Sequence, residues 1–88
     1  MYSVRLLPQA RRFYADADRP LANKLARCFE QLEENPRIHP NITRLKGPLA
    51  GYYRFRVGDY RVIYQVLHGS REVTVIYIRH RSVAYRGL

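Results

Sequence analysis

The stretch Tyr52–Val66, YYRFRVGDYRVIYQV, constrains the fold more than any other part of the chain. On both sides of Gly58-Asp59, apolar and aromatic residues alternate with charged ones, the period-2 pattern of a half-buried strand. Two such runs joined by two turn-forming residues read as a β-hairpin. With that turn, Val57 falls opposite Tyr60, Phe55 opposite Val62 and Tyr53 opposite Tyr64, which gathers six apolar and aromatic side chains on one face. The other face receives Arg56 opposite Arg61, Arg54 opposite Ile63 and Tyr52 opposite Gln65. Two arginines directly opposite each other repel, a cost that an anion seated between them would remove.

Val73–Arg81, VTVIYIRHR, is β-branched and extends this sheet by a third strand. A five-residue loop, His68–Glu72, would pair Leu67 with Val73 and Arg61 with Arg79. Tyr77, Arg79 and Arg81 then join the arginine face, while Ile76 and Ile78 join the core. A four-residue loop would bury Arg79, and burying an unpaired guanidinium is expensive. Upstream, Tyr2–Leu7 reads as a short opening strand. Pro8 suits the first turn of a helix running to about Ala17, with Phe13 and Tyr14 turned inward. Asp18 is the N-cap of a second helix that carries Leu21, Leu25, Cys28, Phe29 and Leu32 at helical spacing and stops at Asn35-Pro36. Residues 37–51, rich in proline and glycine, form a connection with a short edge segment near Ile42–Leu45. The order strand, two helices, three strands predicts a single α+β domain over residues 1–88, with the two helices packed on one face of a small antiparallel sheet.

Eighty-eight residues, 47% of them hydrophobic, are enough for one modest core. Cys28 is the sole cysteine, which excludes an internal disulfide and paired-cysteine metal sites; its helical spacing assigns it to the core. No apolar run has the length of a signal peptide or membrane span, and the expectation is a soluble cytoplasmic protein with no membrane partner. The charge is more informative. Residues 1–43 hold seven basic and five acidic residues, a net of +2, whereas residues 44–88 hold nine and two, a net of +7. Fourteen of the sixteen basic residues are arginines, the side chain suited to bidentate phosphate contacts and to stacking on bases. A basic surplus concentrated in one half points to a polyanion-binding face built from Arg54, Arg56, Arg61, Arg79 and Arg81, with Tyr52, Tyr77 and Tyr85 among them.

The chemistry available on that face is limited. His39, His68 and His80 are scattered and carboxylates are scarce in the basic half, so no metal site and no cofactor is expected, and a metal-dependent nuclease is disfavoured. A metal-free ribonuclease needs less. The 2′-hydroxyl of RNA can attack the adjacent phosphate while cationic groups stabilise the developing charge. Something must take the hydroxyl proton and something must protonate the leaving oxygen. Arginine is a poor base. His80 has a suitable titration range, but alternation sets it on the side opposite Arg79 and Arg81, so a structural histidine at the sheet edge is its rival reading. Tyr85 has two readings as well, a base-orienting or proton-transferring group and a packing residue of the C-terminal tail.

The run N-P-R (Asn35–Arg37), then LKG (Leu45–Gly47), then YRFRVGDYRVIYQV and VIYIRHRSVAYR together resemble the RelE/ParE superfamily of toxin–antitoxin toxins. The RelE branch implies a fold like small microbial ribonucleases and ribosome-dependent cleavage of mRNA in the ribosomal A site. It implies catalytic roles for Arg61, Arg81, Tyr85 and Arg56, with Arg54, Arg79, His80, Tyr52 and Lys46 contacting RNA or ribosome. The last-strand arginine corresponds to Arg81 by ungapped reading and to Arg79 when counted back from Tyr85; the first is favoured. Arg54 and Arg56 stand where the best-known RelE proteins carry lysines, one of them assigned to proton abstraction, so Arg56, His80 and a ribosomal group are all open as the base. The ParE branch implies a DNA gyrase inhibitor without nuclease activity, and a binding-only toxin is a third possibility. Either branch implies a cognate antitoxin, with promoter DNA bound only through the antitoxin complex.

Overall fold

A computed structural model of the chain describes residues 1–87. The elements are β1 (Ser3–Leu6), α1 (Pro8–Asp16), α2 (Arg19–Glu34), β2 (Ile42–Arg44), β3 (Tyr53–Val57), β4 (Tyr60–Leu67) and β5 (Glu72–His80), with 3₁₀ turns at Gly47–Leu49 and Arg81–Val83. Pro8 opens α1, and α2 begins where Asp18 Oδ1 accepts the Leu21 N–H at 3.0 Å. The helix stops at Asn35, whose extended backbone is the conformation a following proline imposes. Asn35 Oδ1 then accepts from the Arg37 and Ile38 N–H groups at 3.0 and 3.2 Å and turns the chain toward the sheet.

The five strands are ordered β1-β5-β4-β3-β2. The hairpin has the expected register, with Tyr53, Arg54, Phe55, Arg56 and Val57 facing Tyr64, Ile63, Val62, Arg61 and Tyr60. Gly58 takes φ +58 at the first turn position, the left-handed conformation that glycine adopts without a Cβ penalty. One edge departs from an antiparallel sheet: β1 runs parallel to β5. A parallel pair needs a long connection, and residues 7–71, with both helices and three strands, lie between these two.

Ala10, Leu25, Cys28 and Leu32 of the helices pack on Phe55, Val57, Val62, Tyr64, Val73, Val75 and Ile78 of the sheet. Cys28 is buried among them, and burial pushes its thiol pKa up, which leaves it protonated and unreactive. Among the described residues no helix is long and apolar enough to cross a membrane.

The β4–β5 turn differs from expectation. Leu67 pairs with Glu72 rather than Val73, so the turn is the four residues His68–Arg71. The register then slips by one between Ile63 and Tyr64: Tyr64 faces Val75, whereas Ile63 faces Tyr77. The slip is a β-bulge that leaves Ile76 out of the ladder and only half-buried instead of in the core. One extra residue reverses the parity of everything beyond it, so Val73, Val75 and Ile78 all face the helices and Arg79 still meets Arg61.

Beyond the bulge β1 has ended, its Leu6 paired with Val75, and Ile78 has no strand on that side. The side-chain amide of Gln9 replaces it, with Nε2 donating to Ile78 O and Oε1 accepting from Ile78 N, both at 2.8 Å. Gln9→Leu leaves both main-chain groups unpaired and is expected to cost about 1–3 kcal/mol, read as a lowered urea midpoint at unchanged m-value.

Candidate nucleic-acid interface

The helix-free face of the sheet carries a row of three arginines. Arg79 of β5 lies opposite Arg61 of β4, and Arg61 lies opposite Arg56 of β3. Residues so paired are about 5 Å apart at Cα, so three arginines rise from one strip of the sheet. The next row is Tyr77, Ile63, Arg54 and Thr43 across β5, β4, β3 and β2. Arg61 is the centre of charge: burial, then Arg54, Arg56 and Arg81, push its pKa below the ordinary value, with Tyr85 acting in the opposite direction. Its Nη1 donates to Gly58 O at 3.0 Å and Tyr60 O at 2.9 Å, which folds the guanidinium toward the hairpin turn. Like charges in such a strip are destabilising by themselves. Arg56→Gln is therefore expected to raise stability by about 0.2–1 kcal/mol at low salt, a gain that shrinks at high salt, while polyanion affinity falls. Urea titrations at two salt concentrations check the first half and filter binding to an oligonucleotide the second.

The C-terminal segment closes one end of this face. Arg81 N donates to Asp59 O at 2.8 Å, and Arg81 Nε lies 3.9 Å from Asp59 Oδ1 with both side chains mostly exposed. Tyr77 Oη donates to Ala84 O, and Arg79 Nη1 donates to Arg86 O. The Arg79 guanidinium sits 3.8 Å from the centroid of the Tyr77 ring. Ala84, Tyr77 and Ile63 are all buried on this side, a small second core apart from the one under the helices. Tyr85 projects from the tail, 38% exposed, and its Oη accepts from Arg54 Nη1 at 3.1 Å. Burial raises the pKa of Tyr77, whose hydroxyl is further influenced by Arg79, Tyr85 and Tyr52.

The structure thus brings together Arg54, Arg56, Arg61, Arg79, Arg81 and Tyr85, with Tyr52 close to Tyr77. It does not bring in His80. The strand is still regular there, so His80 pairs with Tyr60 on the helix side, its ring 5.7 Å edge-to-face from that of Tyr60. Its Nδ1 accepts from Ser82 N at 3.2 Å and starts the closing 3₁₀ turn. Lys46 is exposed and precedes the Gly47–Leu49 turn. Three further residues escaped the sequence reading. Asp59, in the hairpin turn, accepts from the Arg81 N–H through its carbonyl and lies near its guanidinium. Lys24 and Arg27 of α2 line an open groove with Arg56, over a floor of Cys28, Phe55 and Val57. The signal for the last two was the spacing of Lys24, Arg27 and Gln31 at i, i+3 and i+7, one polar stripe beside the buried one. Among the described residues no group of three or more His, Cys, Asp or Glu could hold a metal ion.

A family model described as the ParE toxin of the type II toxin–antitoxin system, parDE, matches residues 4–85. The chain belongs to this toxin family. Its sequence is also similar to the Toxin RelE of Mycobacterium tuberculosis, 43% identical over 58 residues. That match covers 66% of this toxin and 58% of the relative, so less than two thirds of the relative's length is spanned. Among solved structures, the toxin is similar to the RelE–RelB complex of Pyrococcus horikoshii, with TM-score 0.80 at 25% identity over 94% of this chain and 98% of that one. The isolated RelE toxin of Escherichia coli shares the fold, with TM-score 0.77 at 24% identity over 99% of this chain and 88% of that one. The toxin is therefore a type II toxin of the RelE/ParE superfamily with the α+β fold of RelE.

Proposed function

We propose that this toxin is a ribosome-dependent endoribonuclease that cleaves mRNA in the ribosomal A site without a metal ion. The observation that carries this reading is the arginine cluster on the helix-free face: Arg79, Arg61 and Arg56 stand opposite one another on neighbouring strands, Arg54, Arg56 and Arg81 all act on Arg61, and the Arg54–Tyr85 pair lies beside them. A surface that holds like charges together is worth its instability only if an anion fills it. In the reaction the 2′-hydroxyl oxygen bonds to the adjacent phosphorus and the P–O5′ bond breaks, leaving a 2′,3′-cyclic phosphate and a 5′-hydroxyl. Arg61, flanked by Arg56 and Arg81, stabilises the extra negative charge on the phosphoryl oxygens as it develops. Tyr85 offers its ring to a base and its hydroxyl proton to the leaving oxygen. His80 faces the other way and guanidinium holds its proton, so the 2′-hydroxyl proton passes to a group of the ribosome. That division of labour accounts for the need for ribosomes.

A cognate antitoxin completes the system. The groove lined by Lys24, Arg27 and Arg56, with its floor of Cys28, Phe55 and Val57, suits an acidic segment that also carries apolar anchors. The solved relative from Pyrococcus horikoshii is itself a complex with RelB, which supports a partner of that kind.

The family-model match to ParE favours a second reading, inhibition of DNA gyrase. Primer extension on mRNA incubated with the purified toxin, with and without ribosomes stalled with an empty A site, separates the two. Cuts at A-site codons that require ribosomes are expected. Intact mRNA in every lane, together with blocked supercoiling by gyrase, would put the second reading in place of the first.

A further inference from the structure

We propose that Arg54 is a positioning residue that fixes the hydroxyl of Tyr85 beside the arginine row, and not one of the phosphate contacts; the proposal rests on the cleavage reading above. A guanidinium grips a phosphate through one of two forks, the side edge that includes Nε or the end formed by Nη1 and Nη2. In Arg54 both are compromised. Its Nε is sealed from solvent and has no hydrogen-bond partner, and its Nη1 is engaged by Tyr85 Oη at 3.1 Å. Leaving a buried donor unpaired is costly. The arrangement therefore makes sense only if the remaining bond of Arg54 does something that a swinging side chain could not.

Arg54 is the odd member of the set because of its Nε. Arg61 and Arg79 also commit an Nη1, to the carbonyls of Gly58 and Tyr60 and of Arg86, and Arg56 is exposed, but among the described residues only Arg54 has a buried Nε without a partner. Arg54 instead stands half-buried between the buried Ile63 on β4 and Thr43 on β2, a position from which it meets the tail. The backbone on either side of Tyr85 is already held, through the Tyr77–Ala84 and Arg79–Arg86 hydrogen bonds. Those two bonds fix where the tail runs but leave the Tyr85 side chain free to turn about its own rotamers. The bond from Arg54 supplies the third point of attachment. Because Nη1 donates to Oη, the hydroxyl's own proton is directed away from Arg54 and left free to be donated to another oxygen.

The test compares Arg54→Met, which keeps the length and loses the donors, with Tyr85→Phe and with the double variant, using cleavage of ribosome-bound mRNA. Each single variant is expected to lower kcat about tenfold with KM nearly unchanged, and the double variant to be no slower than the slower single one. Arg54→Lys, which retains a donor, recovers most of kcat. A raised KM at unchanged kcat, or single effects that multiply in the double variant, would make Arg54 an RNA contact and overturn the proposal. A second measurement needs no catalysis: in protein carrying ring-labelled ¹³C-tyrosine, the Tyr85 signals shift in Arg54→Met and return toward wild type in Arg54→Lys. Tyr85 signals indifferent to both substitutions would also overturn it. A wild-type toxin that cleaves nothing removes the ribonuclease reading alone, and the tyrosine spectra still decide whether Arg54 holds Tyr85.

Discussion

Arg61→Ala is expected to slow mRNA cleavage by about 10²–10³-fold, the usual effect of removing one preorganised donor from a developing oxyanion. Arg61 is the central member of the row, opposite both Arg56 and Arg79, and it is the guanidinium on which Arg54, Arg56 and Arg81 all act. Stability should change little. The two bonds from Nη1 to Gly58 O and Tyr60 O contribute about 1 kcal/mol each at most in this partly exposed setting, and relief of repulsion from Arg54, Arg56 and Arg81 offsets part of that. Single-turnover cleavage on stalled ribosomes and a thermal melt together check both halves. A variant that cleaves at the wild-type rate would remove Arg61 from the chemistry, and one that no longer melts cooperatively would assign it to the fold.

The largest effect on stability is expected at Tyr64. It is fully buried, its ring stacks on Tyr53 with centroids 5.4 Å apart, and its hydroxyl donates to Pro36 O at 2.7 Å. Burial pushes its pKa up, so the hydroxyl remains a donor across the ordinary pH range. This one side chain ties the central strand to the loop that follows α2. Tyr64→Ala opens a large cavity, loses the stack and leaves the Pro36 carbonyl unpaired, for a cost of about 3–5 kcal/mol. A domain of this length has about 4–13 kcal/mol in total, so the variant stands close to unfolding at room temperature. Tyr64→Phe keeps the volume and loses only the hydrogen bond, about 1–3 kcal/mol. Equilibrium urea unfolding of both separates packing from the bond; equal midpoints would mean that the Pro36 contact carries most of the effect.

The hairpin register was legible because alternation and the Gly58-Asp59 turn leave one arrangement that buries Phe55, Val57, Val62 and Tyr64 together. The same holds for the Asp18 cap and the burial of Cys28, each set by local chemistry. The β5 bulge was missed because a regular ladder was assumed. Its trace is in the sequence, since Val73 and Val75 share one parity and Ile78 the other, and no unbroken strand can bury all three on one face. A five-residue loop with an unbroken strand puts Arg79 opposite Arg61, as the four-residue turn plus bulge does, but places Ile76 in the core, where the bulge leaves it half-buried. The direction of β1 was not legible, because a four-residue strand carries no local mark of its partner. At the site, alternation identified the arginine row and turned His80 away from it. The tail's grip on Tyr77, Arg79 and Arg54 depends on contacts between residues 77–86 and 54 that neither helical nor strand periodicity encodes.

The most direct test of RNA cleavage by this face is a ribosome-bound mRNA in which the nucleotide on the 5′ side of the cut carries 2′-deoxyribose. Attack by the 2′-hydroxyl predicts that the native message is cut at the A site, leaving a 2′,3′-cyclic phosphate, and that the deoxy-substituted message stays intact at that position. Equal cleavage of both would contradict it, because the nucleophile would then come from somewhere other than the RNA.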